Sequence, residues 1–286
     1  MDFAFGRYGL RANGDDVLTE RLKSWWRDYA DAAPRETPDA ALTFRRVASL
    51  DVPACEQGWR CEIRPYGRRR ASYFSGARAL FAVEYGAHAG EAEVLVAEAS
   101  DAAIRLGAQY GLMLALRDRC VGLHGATVRC GCETVILSAP SGTGKSTLAG
   151  LLEAYCGAQT LNGDFALLSA DGDGAAFEPT PFCGTSGICT DRRARIDRVV
   201  FLAQAPTDQW RELNGREALV RFMSNVFVPD WDAAAALCIQ STVMSALKHI
   251  SVSAFAFAPT AEAARMLHDH TDSEGHTSHD QKEEST

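Results

Sequence analysis

The chain has 286 residues, 47% hydrophobic and 23% charged, a globular composition that excludes fibrous, collagen-like and wholly disordered classes. With 37 acidic and 29 basic residues the formal net charge is -8, so no broad cationic surface favours nucleic acid or anionic lipid as a partner. No run approaches the ~18 consecutive apolar residues of a membrane span, and the opening MDFAFGRYGL lacks the basic end and apolar run of a secretory signal; a cytoplasmic protein is expected.

Val17 to Tyr29 places Val17, Leu18, Leu22, Trp25, Trp26 and Tyr29 at helical spacing, with Thr19 and the acids near its start. Short apolar runs follow at Ala41–Ala48, Trp59–Arg64, Ala71–Phe74, Ala79–Tyr85 and Ala92–Ala97. Turn-forming or basic clusters separate them, a pattern that predicts an antiparallel meander. Arg68, Arg69 and Arg70 read as a solvated turn. Residues 1–98 are thus expected to form a smaller α+β region concerned with substrate recognition.

The period changes at Ser100, which can cap a helix running to about Arg119. Val121–Val128 reads as a strand, Arg129–Glu133 as a hairpin turn centred on Gly131, and Thr134–Ser138 as a second strand. A small-residue loop and a helix over Leu148–Tyr155 come next. Strand pieces at Gln159–Leu161 and Phe165–Leu168 flank Asn162-Gly163-Asp164, and Ala170–Ala176 reads as a turn. Arg198–Gln204 has four consecutive apolar residues, as expected of a strand covered on both faces. Helices over Gly215–Asn225 and Trp231–Leu247, a strand over Ile250–Phe257 and a helix over Thr260–His268 capped by Thr260 complete an α/β domain spanning residues 99–268. Residues 269–286 carry six acids, one lysine and no periodicity, and read as a disordered, His-bearing tail. The nine cysteines include no CxxC pair; Cys130-Gly131-Cys132 lacks a histidine at ligand spacing, so reduced packing thiols are expected.

The chemistry concentrates in Ala139-Pro140-Ser141-Gly142-Thr143-Gly144-Lys145-Ser146-Thr147, which fits the P-loop pattern with alanine in the first position. Gly142 and Gly144 permit the curvature that turns backbone N–H groups inward around phosphate oxygens. Lys145 reaches the β- and γ-phosphates, the Ser146 hydroxyl ligates Mg²⁺, and the following helix adds its positive end. A second carboxylate element is required, either for Mg²⁺ or to activate the attacking hydroxyl. Asp164 is the candidate, 19 residues after Lys145, on a strand expected to cross to the carboxyl edge of a parallel sheet. Asp171 and Asp173 read as solvated turn residues. No LSGGQ signature and no NKxD guanine reader is present.

Leu123-His124-Gly125, the strand and loop VILSAPSGTGKST, LNGDFALL, PTPFCGTSG and the strand RVVFLAQ resemble the HPr kinase/phosphorylase superfamily, in particular its small relatives in peptide-modifying gene clusters such as those for lasso peptides. The resemblance spans about residues 120–228. It implies a P-loop, HPr-kinase-like (PEP carboxykinase-like) kinase core that uses ATP and Mg²⁺ and forms homo-oligomers. The implied acceptor is a serine hydroxyl at the C-terminus of a ribosomal precursor peptide. It also implies catalytic roles for Lys145, for Asp164 as base and metal ligand, and for His124 near the γ-phosphate or the metal's water shell. A lone strand histidine equally reads as a satisfied structural one. The acidic pair of the family appears here as Gly163-Asp164, one carboxylate short, a departure that bears on the reverse, dephosphorylating reaction. Arg192, Arg193 and Arg195 read either as transition-state or substrate-gripping arginines or as solvated charge. A small-molecule hydroxyl kinase, acting for example on free serine, and a non-transferring ATP-switched regulator remain as alternatives.

Overall fold

The computed structural model describes residues 1–52, 62–76 and 78–272. The predicted strand over Trp59–Arg64 falls partly, and Cys55, Cys61 and residues 273–286 of the tail wholly, outside the described residues. The chain is mixed α/β with two mixed sheets. Its contacts divide it into one unit of residues 1–121 with 228–241 and another of residues 122–227 with 242 onward.

The first unit is built on a seven-stranded sheet of β1 (Asp2–Phe5), β2 (Tyr8–Gly14), β3 (Ala40–Arg46), β4 (Glu62–Gly67), β5 (Arg70–Ser75), β6 (Arg78–Tyr85) and β7 (Glu91–Val96), in the order β1-β2-β3-β7-β6-β5-β4. Strands β4 to β7 form the expected meander, but β3 runs parallel to both β2 and β7. The β1–β2 hairpin has no counterpart in the sequence reading, although its alternating Phe3, Phe5, Tyr8 and Leu10 are buried. Helix α1 (Asp16–Trp25) is capped by Asp15, whose Oδ1 accepts from the N–H groups of Val17 and Leu18 at 3.0 and 3.3 Å. Thr19 lies inside the helix and donates back to Asp15 O.

Helix α2 (Asp101–Ala115) begins at the Ser100 cap as read, Ser100 Oγ accepting from Ala103 N at 3.2 Å. The expected boundary at residue 98 assigned this helix to the second domain, whereas it packs on β3, β6 and β7 of the first. The cause is close approach: a Cβ on Gly107 would lie 2.6 Å from Val94 Cγ1, and one on Gly111 3.1 Å from Val94 Cγ2. Glycine at both positions lets the helix backbone settle onto the strand.

The second unit holds a nine-stranded sheet of β8 (Cys120–Cys130), β9 (Glu133–Ser138), β10 (Gln159–Asn162), β11 (Phe165–Asp171), β12 (Gly174–Glu178), β13 (Ala194–Arg195), β14 (Arg198–Gln204), β15 (Gln209–Glu212) and β16 (Ser251–Phe257). The order is β13-β12-β11-β8-β9-β14-β16-β15, with β10 paired to β8. Strands β9, β14 and β16 are mutually parallel; β8–β9, β8–β10, β11–β12 and β15–β16 are antiparallel. Helix α3 (Lys145–Cys156) follows β9, α4 (Gly215–Met223) follows β15, α5 (Ala233–Ala246) contributes to both units, and α6 (Ala261–Asp272) closes the fold.

The apolar run of β14 is covered on both faces, as its pattern predicts. Val200 and Leu202 join Leu148, Leu152, Ala263 and Leu267 under α3 and α6, while Phe201 meets Phe222 of α4 edge-on at 5.5 Å. Helix α6 is capped by Thr260 as read but continues to Asp272, so residues 269–272 of the expected tail are helical. Among the described residues no helix is long and apolar enough to cross a membrane.

Candidate functional site

The loop from Ala139 to Gly144 leaves the carboxyl end of β9 and turns into α3. Gly142 and Gly144 take φ of 82° and 102°, the left-handed region that costs glycine nothing. No described non-glycine residue has a positive φ, so alanine at position 139 is unstrained, and it is buried in the core beneath the loop. Gly144 caps α3 without a side-chain hydrogen bond. The first-turn N–H groups of Lys145, Ser146 and Thr147 have no partner within the helix, as at any helix start. Strand, loop and helix therefore meet the context that the P-loop motif requires.

Lys145 is buried, and its Nζ donates to the carbonyl oxygens of Ala139 and Pro140 at 2.9 and 3.3 Å. A third bond runs from Lys145 Nζ to His124 Nε2 at 2.8 Å. On its other side His124 presents Nδ1 to Asp164 Oδ1 at 3.6 Å. The three residues that the sequence singles out for catalysis thus form one continuous line, ammonium, imidazole and carboxylate. Strand pairing puts His124 there: β8 lies antiparallel to β9, Ser138 Oγ donates to His124 O at 3.0 Å, and Gly125 N donates to Asp164 O at 2.9 Å.

Burial and then the neighbouring Lys145 charge hold the His124 pKa below its ordinary value, against the pull of Asp164. Burial also lowers the Lys145 pKa, with Asp164 opposing. A neutral imidazole that accepts at Nε2 keeps its proton on Nδ1, the nitrogen that faces the carboxylate. His124 can therefore accept from Lys145 and face Asp164 without placing a second cation beside the lysine.

Asp164 sits in the turn between β10 and β11. Since β8 pairs antiparallel with both β9 and β10, β10 runs in the direction of β9 after the crossing made by α3, and Asp164 follows its carboxyl end as expected, with β8 lying antiparallel between the two strands. Asn162 fastens that turn. Fully buried, it accepts from the N–H groups of Asp164 and Phe165 at 3.0 and 3.1 Å and donates to Thr180 O at 3.3 Å. Sequence reading placed Asn162 between strands and missed this role, although Asn before Gly is a known signature of side-chain-closed turns.

The loop Cys183-Gly184-Thr185-Ser186-Gly187 packs against the same turn. A Cβ on Gly184 would lie 2.6 Å from Asp164 Cγ, and a Cβ on Gly163 would lie 2.1 Å from Ser186 Oγ. The space a side chain at position 163 would need is filled by Ser186, whose hydroxyl donates to Cys183 O at 2.6 Å and accepts from Ile188 N at 3.2 Å. A side chain at position 163 would require Ser186 to move.

The arginines are arranged differently. Arg193 Nε lies 2.9 Å from Oε1 of the fully buried Glu178, and Arg195 Nε lies 3.3 Å from Asp197 Oδ1. Arg192 is exposed, and its backbone N–H donates to Thr190 Oγ1 at 3.2 Å. Elsewhere, α6 brings His268 Nδ1 within 3.3 Å of Cys130 Sγ, a neighbour that linear spacing hides. Burial pushes the Cys130 thiol up to about 11. Among the described residues no group of three or more His, Cys, Asp or Glu is disposed to hold a metal.

No family model matches the chain, and no curated protein matches it. Among solved structures it is similar to the HPr(Ser) kinase/phosphatase from Coxiella burnetii, at 11% identity and a TM-score of 0.32, over 54% of this chain and 89% of that one.

Proposed function

We propose that the second unit is an ATP-dependent kinase that transfers the γ-phosphoryl group to a serine hydroxyl. One observation carries the reading: the 2.8 Å contact of Lys145 with His124 and the 3.6 Å contact of His124 with Asp164. They join the phosphate loop to a carboxylate through a neutral imidazole. The start of α3, which no side chain caps, and the glycine-bent loop suit a triphosphate tail.

The Ser146 hydroxyl and the Asp164 carboxylate are the hard oxygen donors that Mg²⁺ prefers, and these two would hold it. When bound, Mg²⁺ neutralises charge on the β- and γ-phosphates. Lys145 and the loop N–H groups stabilise charge on the moving phosphoryl group. The acceptor oxygen bonds to the γ-phosphorus as the β–γ bridging P–O bond breaks, ADP departs, and the hydroxyl proton passes to Asp164. His124 holds Lys145 on one side and faces Asp164 on the other. A peptide acceptor, of the ribosomal precursor type, rests on the sequence resemblance alone.

Lys145→Ala should abolish both ATP binding and transfer. Asp164→Asn should leave ATP affinity largely intact while slowing transfer by about 10²- to 10⁴-fold. Titration calorimetry with ATP and transfer from γ-labelled ATP measure the two effects. Full turnover by Asp164→Asn would remove the assigned base.

A further inference from the structure

Strand β13 has two residues, which pair antiparallel with Ala176 and Phe177 of β12. Continuing that register sets Glu178, the last residue of β12, opposite Arg193, and the two side chains meet: Arg193 Nε donates to Glu178 Oε1 at 2.9 Å. From β11, Ser169 Oγ donates to the same oxygen at 2.6 Å. The pair closes the base of the loop formed by residues 179–192, and that loop bears on the candidate base. Asn162 Nδ2 donates to Thr180 O at 3.3 Å, Gly163 N donates to Ile188 O at 3.1 Å, and Gly184 packs against the Asp164 side chain. Resting on the kinase reading above, we infer that Glu178 and Arg193 are positioning residues: their ion pair locks the register of this loop and so sets where the Asp164 carboxylate stands.

Stability alone does not call for a charged pair here. Glu178 is fully buried, and a buried ion pair adds little over well-packed apolar residues of similar volume. Its best use is to fix one alignment among several. A ladder as short as β12–β13 needs such a device, because slipping it by one residue breaks few backbone bonds. The loop tolerates no slip where it meets Asp164. Gly184 has φ of 57°, and a Cβ there would lie 2.6 Å from Asp164 Cγ. A shift by one residue would bring Cys183 or Thr185 to that place, and the added carbon would push the carboxylate aside.

The loop is braced, so alignment at its base reaches Gly184. Ser186 Oγ donates to Cys183 O and accepts from Ile188 N, and Thr190 Oγ1 accepts from Arg192 N at 3.2 Å. Glu178 has no surface with which to touch a substrate. Any effect of that residue on transfer must therefore pass through the loop, which separates a positioning role for the pair from a transition-state role for Arg193.

The test uses the full chain as wild type, Glu178→Gln, Arg193→Lys and the double variant Glu178→Met/Arg193→Met. Transfer is read from γ-labelled ATP to N-acetylserinamide. The ring signal of His124, which faces Asp164, is read by NMR with isotope-labelled histidine and assigned through His124→Gln. The double variant should fold at least as stably as wild type and bind ATP within about twofold, while kcat falls at least about tenfold because the carboxylate is misplaced. Its His124 signal should move. Glu178→Gln should also lose transfer at least about tenfold, and it decides the matter if the double variant does not fold. Arg193→Lys, which keeps the charge, should retain more transfer than the double variant. Wild-type kcat or an unmoved His124 signal in a folded double variant would overturn the inference. So would full transfer by Glu178→Gln with loss in Arg193→Lys, which would make Arg193 a direct contact of the reacting group. If the wild type binds ATP but labels no acceptor, the kinase reading fails; the His124 signal then decides the register lock by itself, a moved signal upholding it and an unmoved one refuting it.

Discussion

Gly163→Ala is the most direct test of how tightly Ser186 packs on the turn that holds Asp164. The new Cβ would lie 2.1 Å from Ser186 Oγ and 2.5 Å from Ser186 Cβ, so one of the two residues must move. Overpacking of this kind costs about 1–3 kcal/mol. Moving Ser186 also breaks its bonds to Cys183 O and Ile188 N, worth roughly 1 kcal/mol each. The backbone at 163 is not left-handed, so alanine recovers about 0.4–1 kcal/mol by restricting the unfolded chain. The net loss is about 2–5 kcal/mol. For a unit of this size each kcal/mol lowers the transition by roughly 2–4 °C. Urea and thermal denaturation measure it, alone and combined with Ser186→Gly. Because Ser186→Gly removes the obstructing atoms, the double variant should be more stable than the sum of the single losses by at least about 1 kcal/mol. A single variant within about 0.5 kcal/mol of wild type, or strictly additive losses, would refute the packing argument.

His124→Gln tests the neutral imidazole. Its folded pKa lies below the ordinary 6.5, so the unfolded chain takes up the proton first as pH falls. The stability this group contributes is therefore complete above about pH 6.5 and is lost as pH drops through the folded value. Wild type should lose stability relative to His124→Gln as pH falls below about 6.5; melting curves that stay parallel on both sides of that pH would contradict it. Asn162→Ala removes three hydrogen bonds from a fully buried residue and should cost about 2–5 kcal/mol. Transfer should fall with it because Asp164 loses its backbone anchor, and a variant of normal stability and turnover would show that Asn162 does not position the turn.

The second unit was more legible in sequence than the first. Ser138 to Lys145 encodes its own shape: small residues and glycines can curve, an apolar strand precedes them, and a helical pattern follows. Such local signals survive without knowledge of partners. The Ser100 and Thr260 caps, the hairpin at Gly131 and the doubly covered strand at Arg198–Gln204 were readable for the same reason. The parallel placement of β3 was not, because a strand's own residues specify which face is buried but not the direction of its neighbour.

Residues 139–147 by themselves determined that a glycine-bent turn joins an apolar strand to a helix at this point, since its dihedral demands fall on residues within a few positions of one another. Only the tertiary structure decided that Lys145, His124 and Asp164 stand in line, that Ser186 fills the space beside Gly163, and that α2 belongs to the first sheet. Those facts depend on which strands pair and on gaps of a few ångströms between distant segments, and no local periodicity records such distances.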